Sequence, residues 1–498
     1  MDLDERSVNS LKVASCLVSD LFSGKPIDSD QGEIEGTITI PEYQRPYTWQ
    51  SKELCKLLED LLDYFGEVNS EHSQESKKNH HNYYLGSIIF HQEIKIIDGY
   101  PHKRLNVIDG QQRLTSLALL AYWLKCKSQP EITYLAPSSQ QQIAKNIAYL
   151  DEWVVEQYDE GFSQLQQLIN FENINVTLVV TDSEDDAYRF FETQNTGGVR
   201  LSGADIIKAH HLRSTPTEVQ DAYAKQWESL GELSPLLDAV MKVRYWQAFN
   251  FKKIPLHNEP VQIKKEIVRE LAENCHSKLQ DNIAYRNVMH IKQNSGWIMN
   301  MPESGYAMRQ PLNSGVNTID YLTYFSNLKN TLLIKNNNIP NQADFNDFYS
   351  HNVIQDTYGT VYLKRLFDCA LLLYVCQFGL SQLFEASLWL FRAVYSPRLA
   401  NKKAVKEITI QAFVRDNHLF DTIMLSFNHA QLIDSLSQFS YQSDNANTEG
   451  NGAKGGFISR VEDYFDISSL DRKKVHSDYD KALVKGIKNK VNKVEEVR

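Results

Sequence analysis

Leu105-Asn106-Val107-Ile108-Asp109-Gly110-Gln111-Gln112-Arg113-Leu114-Thr115 is the stretch from which the rest of the chain is best read. An apolar strand ends at Asp109, and Gly110 supplies the positive φ or close backbone approach of a tight turn. From Gln111 onward Leu114, Leu117, Leu120 and Trp123 recur at helical spacing. A helix starting where a strand ends is a ready anion site, because its free amides and its dipole both favour negative charge. Arg113, in the first turn, can offer a bidentate fork to phosphate oxygens. Gln111 and Gln112 add neutral donors, and Thr115 follows one turn on. Asp109 would repel bare phosphate, so it holds a metal ion, orders the turn or positions water. The alternative is a plain corner with a solvated Arg113.

Upstream, the spacing of Val8, Leu11, Val13, Ala14, Leu17, Val18 and Leu21 predicts an amphipathic helix over 7–22. A short strand over 37–40 and a helix from Ser51 follow. Between them lies Ile40-Pro41-Glu42-Tyr43-Gln44-Arg45-Pro46-Tyr47-Thr48-Trp49. Arg45 sits in stiff backbone between aromatic residues and prolines, which suits recognition of a phosphate or a base. Tyr43 and Gln44 belong with it as nucleotide-binding candidates. Tyr43, Tyr47 and Trp49 either stack on a base or pack as a core corner. Glu71–Asn82 reads as a polar surface loop. Strands are expected over 84–91, 93–97 and 105–108, the last two joined by a Gly99-Tyr100-Pro101 turn, and again over 176–180.

A third block runs from Phe190 to Lys208 (FFETQNTGGVRLSGADIIK). Its Asn-Thr-Gly-Gly turn ends one helix, expected over 183–191. Ser202 and Asp205 have capping-box spacing for the next, over 202–213. Asn195 and Lys208 are candidates for a polar pocket, Lys208 able to reach a phosphate.

The chain has 498 residues, 42% hydrophobic and 23% charged, the balance of a globular protein of two or three domains. No apolar run reaches the roughly 18 residues needed to span a bilayer. Met1–Arg6 is acidic and unlike a secretory signal, so a cytoplasmic location without membrane contact is expected. Six scattered cysteines form no Cys-x-x-Cys pair and read as reduced core thiols. The formal net charge of −11 argues against a general DNA-coating surface but leaves room for local basic patches.

The three blocks, in order and spacing, resemble the N-terminal domain of the GmrSD family of type IV, modification-dependent restriction systems. The family signature maps onto Asp109–Arg113, its Tyr-Gln-Arg block onto Tyr43–Arg45 and its Asn-x-x-Gly block onto Asn195–Gly198. The resemblance covers about residues 10–215. It implies an α+β fold, with a small mixed-sheet ParB/sulfiredoxin-like nucleotide-binding core carrying helical insertions. It also implies hydrolysis of a nucleoside triphosphate, with Mg²⁺, coupled to restriction of phage DNA bearing modified cytosine, such as hydroxymethylated or glucosylated cytosine. Asp109, Gln111, Gln112 and Arg113 are then the catalytic candidates. Tyr43, Gln44, Arg45, Gly110, Thr115, Asn195 and Lys208 are the nucleotide-binding ones.

One departure matters. Many family members carry a C-terminal HNH nuclease domain with a His-Ile-x-Pro-like motif, and no such motif stands in this sequence. His351, His418, His429 and His476 lack a following proline. A nuclease on a separate polypeptide is therefore the expected partner. Two other readings stay open: a ParB-like nucleotide-switched DNA-binding protein, and a nuclease within the ParB-like domain itself, with Glu42 and Asp109 holding a metal. Oligomeric state is open as well.

The expected domains are 1–215, nucleotide-binding; 216–441, α-helical; 442–456, a flexible linker; and 457–498, a basic tail. In that tail Lys473, Lys474, Lys485 and Lys488 are DNA-contact candidates.

Overall fold

The computed structural model describes residues 11–71, 82–97, 99–157, 165, 169, 171–183, 186, 202–276, 281–284, 289–293, 296–300, 305–333, 339, 342–354, 359–402, 405–449, 452–468, 471–472 and 475–497. By internal contacts the chain divides into two units, Met1–Leu201 and Ser202–Arg498. The architecture is α+β: a mixed sheet with helices in the first unit, and a helical second unit.

The sheet is built around its longest strand. Tyr83–Ile97 (β5) and Tyr100–Asp109 (β6) form an antiparallel hairpin that turns at Gly99. Ile88, Ile89 and Phe90 are all buried, as a strand covered on both faces requires. Ile174–Thr181 (β7) pairs with β5 in parallel, and Thr37–Thr39 (β4) pairs with β6 in parallel. Leu11–Leu17 (β1) runs antiparallel on the far side of β7, giving the order β1-β7-β5-β6-β4. A separate two-stranded ribbon, Ile27–Ser29 (β2) with Gly32–Ile34 (β3), adds to this unit.

Of the helix expected over 7–22, residues 7–10 lie outside the described residues, and the described part, 11–22, is a strand followed by a short helix. β1 occupies Leu11–Leu17, and only Val18–Phe22 (α1) is helical. Ala14 and Cys16 point into the core, while Leu11 and Val13 on the opposite face are exposed. Apolar residues on both faces of a strand satisfy a helical template by accident. The strand expected over 93–97 is not separate but the outer half of β5, because the ladder to β6 runs unbroken from Phe90 to Ile97.

Ser51–Glu71 (α2), Gln111–Trp123 (α3) and Pro137–Gln157 (α4) are the long described helices of the first unit. Their apolar faces close the core with Leu54, Leu58, Leu61, Leu114, Leu117 and Leu150, all shielded from solvent.

The second unit begins earlier than residue 216. Helix Gly203–Arg213 packs within it: His211 is fully buried, its Nε2 2.6 Å from the Leu271 carbonyl and its Nδ1 accepting from the Gly315 amide at 3.2 Å. Helix Leu383–Ala400 is buried on nearly every side, the mark of a central core helix. From it Arg392 forks onto Asp480 at 2.7 Å and donates to the carbonyls of Leu436 and Phe439. The segments expected as a linker and a tail are thereby part of this unit. Ala453–Tyr464 is helical, and buried Lys454 donates to the Asp444 carbonyl at 2.6 Å. Val475–Val497 is an amphipathic helix that buries Val475, Tyr479, Leu483 and Ile487 at one-turn intervals. Polar composition suggested a linker, but buried capping contacts of this kind have no periodic signature. No helix among the described residues is long and apolar enough to cross a membrane.

Candidate functional site

The corner at Gly110 forms as its sequence demands. Gly110 is left-handed (φ 89°, ψ 5°) and ends β6. The first helical hydrogen bond of α3 runs from the Leu114 amide to the Gly110 carbonyl at 2.9 Å. Gly110 has no side chain with which to cap this helix, and among the described residues none is shown accepting from the amides of its first turn, which leaves them for a ligand or for water. Gln111 and Gln112 are both buried.

The two glutamines have different surroundings. Gln112 is a clamp: its Oε1 accepts from the Thr48 amide at 2.9 Å and the Trp49 amide at 3.3 Å, and its Nε2 donates to the Pro46 carbonyl at 3.2 Å. Gln111 Oε1, in contrast, is buried with no hydrogen-bond partner among the described residues. A buried carbonyl oxygen without a donor costs on the order of 1–3 kcal/mol, so a donor such as water or a ligand hydroxyl is called for. Thr115 is buried beside Tyr134, whose hydroxyl burial pushes up to about 12.

Arg113 does not stand free as a phosphate fork. Its Nη1 donates to the Leu85 carbonyl at 3.2 Å and its Nη2 to the Ser87 carbonyl at 2.9 Å. Those carbonyls flank the irregularity in β5, where the pairing to β7 shifts register between Tyr84 and Ser87. Asp109 Oδ2 lies 3.7 Å from the same guanidinium, and both side chains are about a quarter to a third exposed (26% and 30%). The pair is thus a surface-accessible ion pair whose Arg is anchored to the sheet.

The Tyr-Gln-Arg block is wound around this corner. Gln44 Nε2 donates to the Ile108 carbonyl at 2.9 Å, just before the turn, while Pro46, Thr48 and Trp49 are held by Gln112, just after it. Arg45 is carried between these two anchors. It is half-buried and makes no hydrogen bond or ion pair among the described residues. Tyr43 is half-buried too.

Tyr47 packs as core rather than stacking on a base. Its hydroxyl lies 2.8 Å from Ser116 Oγ and accepts from Asn146 Nδ2 at 3.1 Å, and its amide donates to Ser139 Oγ at 2.9 Å. Burial holds its phenol above the usual range. Asn146 also donates to the Trp49 carbonyl at 2.9 Å. Sequence reading missed Ser116, Ser139 and Asn146, because three separate polar residues on two helices form no motif until the chain is folded.

Several candidates fall elsewhere. Asn195, with the whole Asn-Thr-Gly-Gly turn, and Lys473 and Lys474 lie outside the described residues. So does nearly all of the helix expected over 183–191. Lys208 belongs to the second unit, where it is buried and its Nζ is 2.7 Å from Glu228 Oε1. Ser202 and Asp205 form the capping box in both directions, a structural role. Lys485 and Lys488 are exposed on the outer face of helix Val475–Val497, with Lys481 one turn before them. Among the described residues no group of three or more His, Cys, Asp or Glu is placed to hold a metal ion.

Two family matches divide the chain much as the folded units do. Residues 18–212 match the family described as GmrSD restriction endonuclease, N-terminal domain. Residues 219–451 match a family of unknown function, DUF7834. No curated protein matches the chain.

Proposed function

We propose, from the premise that residues 18–212 are a GmrSD-type restriction N-terminal domain, that this chain is the nucleotide-hydrolysing, DNA-sensing component of a type IV restriction system. In this reading it acts on DNA carrying modified cytosine, and a separate nuclease polypeptide makes the cut.

The observation that carries the reading is the uncapped first turn of α3 beside the donor-less Gln111 oxygen. The amides after Gly110 take phosphate oxygens. Arg45, uncommitted and held at the corner by Gln44 and Gln112, supplies the cation that Arg113 does not. Gln111 Oε1 accepts a hydrogen bond from the attacking water and so orients it toward the phosphorus. Asp109 is the carboxylate that would hold Mg²⁺ beside the phosphates; one or two carboxylates plus phosphate oxygens suffice for that ion. Bound there, the metal would offset charge on the phosphates. Arg113, tied to β5, keeps Asp109 in place and is a positioning residue.

The test is hydrolysis of ATP, GTP, CTP and UTP by the purified chain, with and without modified DNA, comparing wild type with Arg45→Ala and Gln111→Ala. The reading expects one nucleotide to be turned over, binding to weaken in Arg45→Ala, and turnover to fall in Gln111→Ala with binding kept. Failure of the wild type to bind or hydrolyse any of the four under either condition would sink it. Binding without turnover would move the chain to the ParB-like switch reading.

A further inference from the structure

The second unit holds a cavity of about 440 Å³. It is lined from helices Ser234–Tyr245, Val316–Leu333 and Val361–Phe378. Ala239, Cys369 and Leu372 are buried and make an apolar floor, and Asp238, Lys329, Lys364, Arg365 and Asp368 supply charge around it.

Most of that charge is committed. Asp368 accepts from Lys364 Nζ at 2.6 Å and from the Tyr349 hydroxyl at 2.7 Å. Asp238 accepts from buried Lys242 through Oδ2 alone. Glu232, close enough to Lys329 to feel its charge, accepts from the Ser234 amide at 2.9 Å. Three groups remain. Lys329 and Arg365 make no hydrogen bond or ion pair among the described residues, and Asp238 Oδ1 has no donor there. Counting Lys242 and Glu232 with the lining, four cations face three carboxylates, on a chain whose net charge is −11.

We propose that this cavity binds a nucleoside monophosphate. The phosphate sits between Lys329 and Arg365, the ring lies on the floor at Cys369 and Leu372, and Asp238 Oδ1 accepts from a sugar hydroxyl or a base amino group. The volume lies within the roughly 300–1,000 Å³ of small-molecule sites, and an apolar floor with a few convergent polar groups is their usual make-up. Inorganic phosphate alone would leave the floor and the Asp238 oxygen unmet. The proposal is independent of the reading of the α3 corner.

The experiment is calorimetric titration of the full chain with AMP, GMP, CMP, UMP, their deoxy counterparts and inorganic phosphate. Wild type is compared with the Lys329→Ala/Arg365→Ala double variant, Asp238→Asn and Arg45→Ala, each checked for an unchanged melting temperature. Single-variant Arg365→Ala, at an exposed position, serves if the double variant melts early. At least one monophosphate should bind the wild type and weaken tenfold or more in the cation variants. Asp238→Asn should change the ranking among nucleosides, and the binding that the cation variants lose should persist in Arg45→Ala, whatever binding at the α3 corner that variant removes. The proposal is overturned if no monophosphate binds the wild type, if the cation variants bind as tightly, or if inorganic phosphate binds as well as every nucleotide. Loss in Arg45→Ala with retention in the cation variants would assign the nucleotide to the first unit and overturn it too.

Discussion

Gly86 leaves open the space that the Arg113 guanidinium fills: a Cβ placed on Gly86 would overlap Arg113 Nη1. Gly86 also has φ +114°, outside the range that L side chains adopt with ease. Gly86→Ala should therefore eject the guanidinium from the Leu85 and Ser87 carbonyls and strain the strand at once. The expected loss is on the order of 2–4 kcal/mol, from backbone strain plus broken charge-assisted hydrogen bonds. Urea unfolding of the full chain, followed in the first unit, reads it. A stability unchanged from wild type would show that Arg113 is not held as described.

Arg113→Ala and Arg45→Ala should fail in different ways. Removing Arg113 leaves two carbonyls without their donor and frees Asp109, so stability and nucleotide turnover should fall together. Removing Arg45 breaks no hydrogen bond among the described residues, so turnover or nucleotide affinity should fall while the melting temperature stays within about a degree or two, as for a surface change of under ~0.5 kcal/mol. Equal melting losses in the two variants would contradict the distinction.

Gln112→Leu keeps about the volume of the side chain and removes its three hydrogen bonds to the 46–49 loop, leaving those made by Ser139 and Asn146. The Thr48 amide and the Pro46 carbonyl then lose their partner, at a cost of about 1–3 kcal/mol if both become unsatisfied. The loop that carries Arg45 should loosen, seen as faster amide exchange at Thr48 and Trp49 with α2 unchanged. Exchange at those two amides as slow as in wild type would show another anchor.

The corner itself is legible in the sequence because strand, glycine and helix each have a local signature, and Asp109–Arg113 carries all three. The roles within it are not. Gln112 and Arg113 read as ligand donors, yet both serve the protein's own backbone, a distinction that depends on which carbonyls lie opposite them after folding. Ser202 with Asp205 reads as a cap and is one, since both partners sit within one turn. β1 reads as a helix because Leu11 and Val13 are apolar on an exposed face, which blurs a period of two. The C-terminal helix reads as a tail because its basic outer face is conspicuous, whereas its buried seam of Val475, Tyr479, Leu483 and Ile487 is sparse among polar residues.

If helix Val475–Val497 meets DNA, Lys481, Lys485 and Lys488 are the contacts, lying at i, i+4 and i+7 on one exposed face. Lys485→Ala/Lys488→Ala keeps the buried seam and should leave the fold intact. The slope of log affinity against log salt should flatten by about 0.9 for each duplex phosphate that the variant no longer neutralises, with little change in preference for modified over unmodified DNA. An unchanged slope would assign the DNA surface elsewhere.

The second unit should weaken in mild acid through His211. The Gly315 amide donates to Nδ1, so the ring is neutral with its proton on Nε2, where the Leu271 carbonyl accepts it. A second proton has nowhere to go, and burial holds the folded pKa down to about 3 against an ordinary value of 6.5. Below pH 6.5 the unfolded chain takes up a proton that the folded chain refuses, so stability is complete above that pH. It is lost as pH falls toward 3, by up to about 1.4 kcal/mol per pH unit. His211→Gln, which can both donate and accept but does not titrate, should be less stable at neutral pH yet lose less on acidification. Urea midpoints of the two proteins at about pH 7.5 and pH 5 measure the difference. Parallel acid losses would mean that carboxylates, not His211, set the acid limit of this unit.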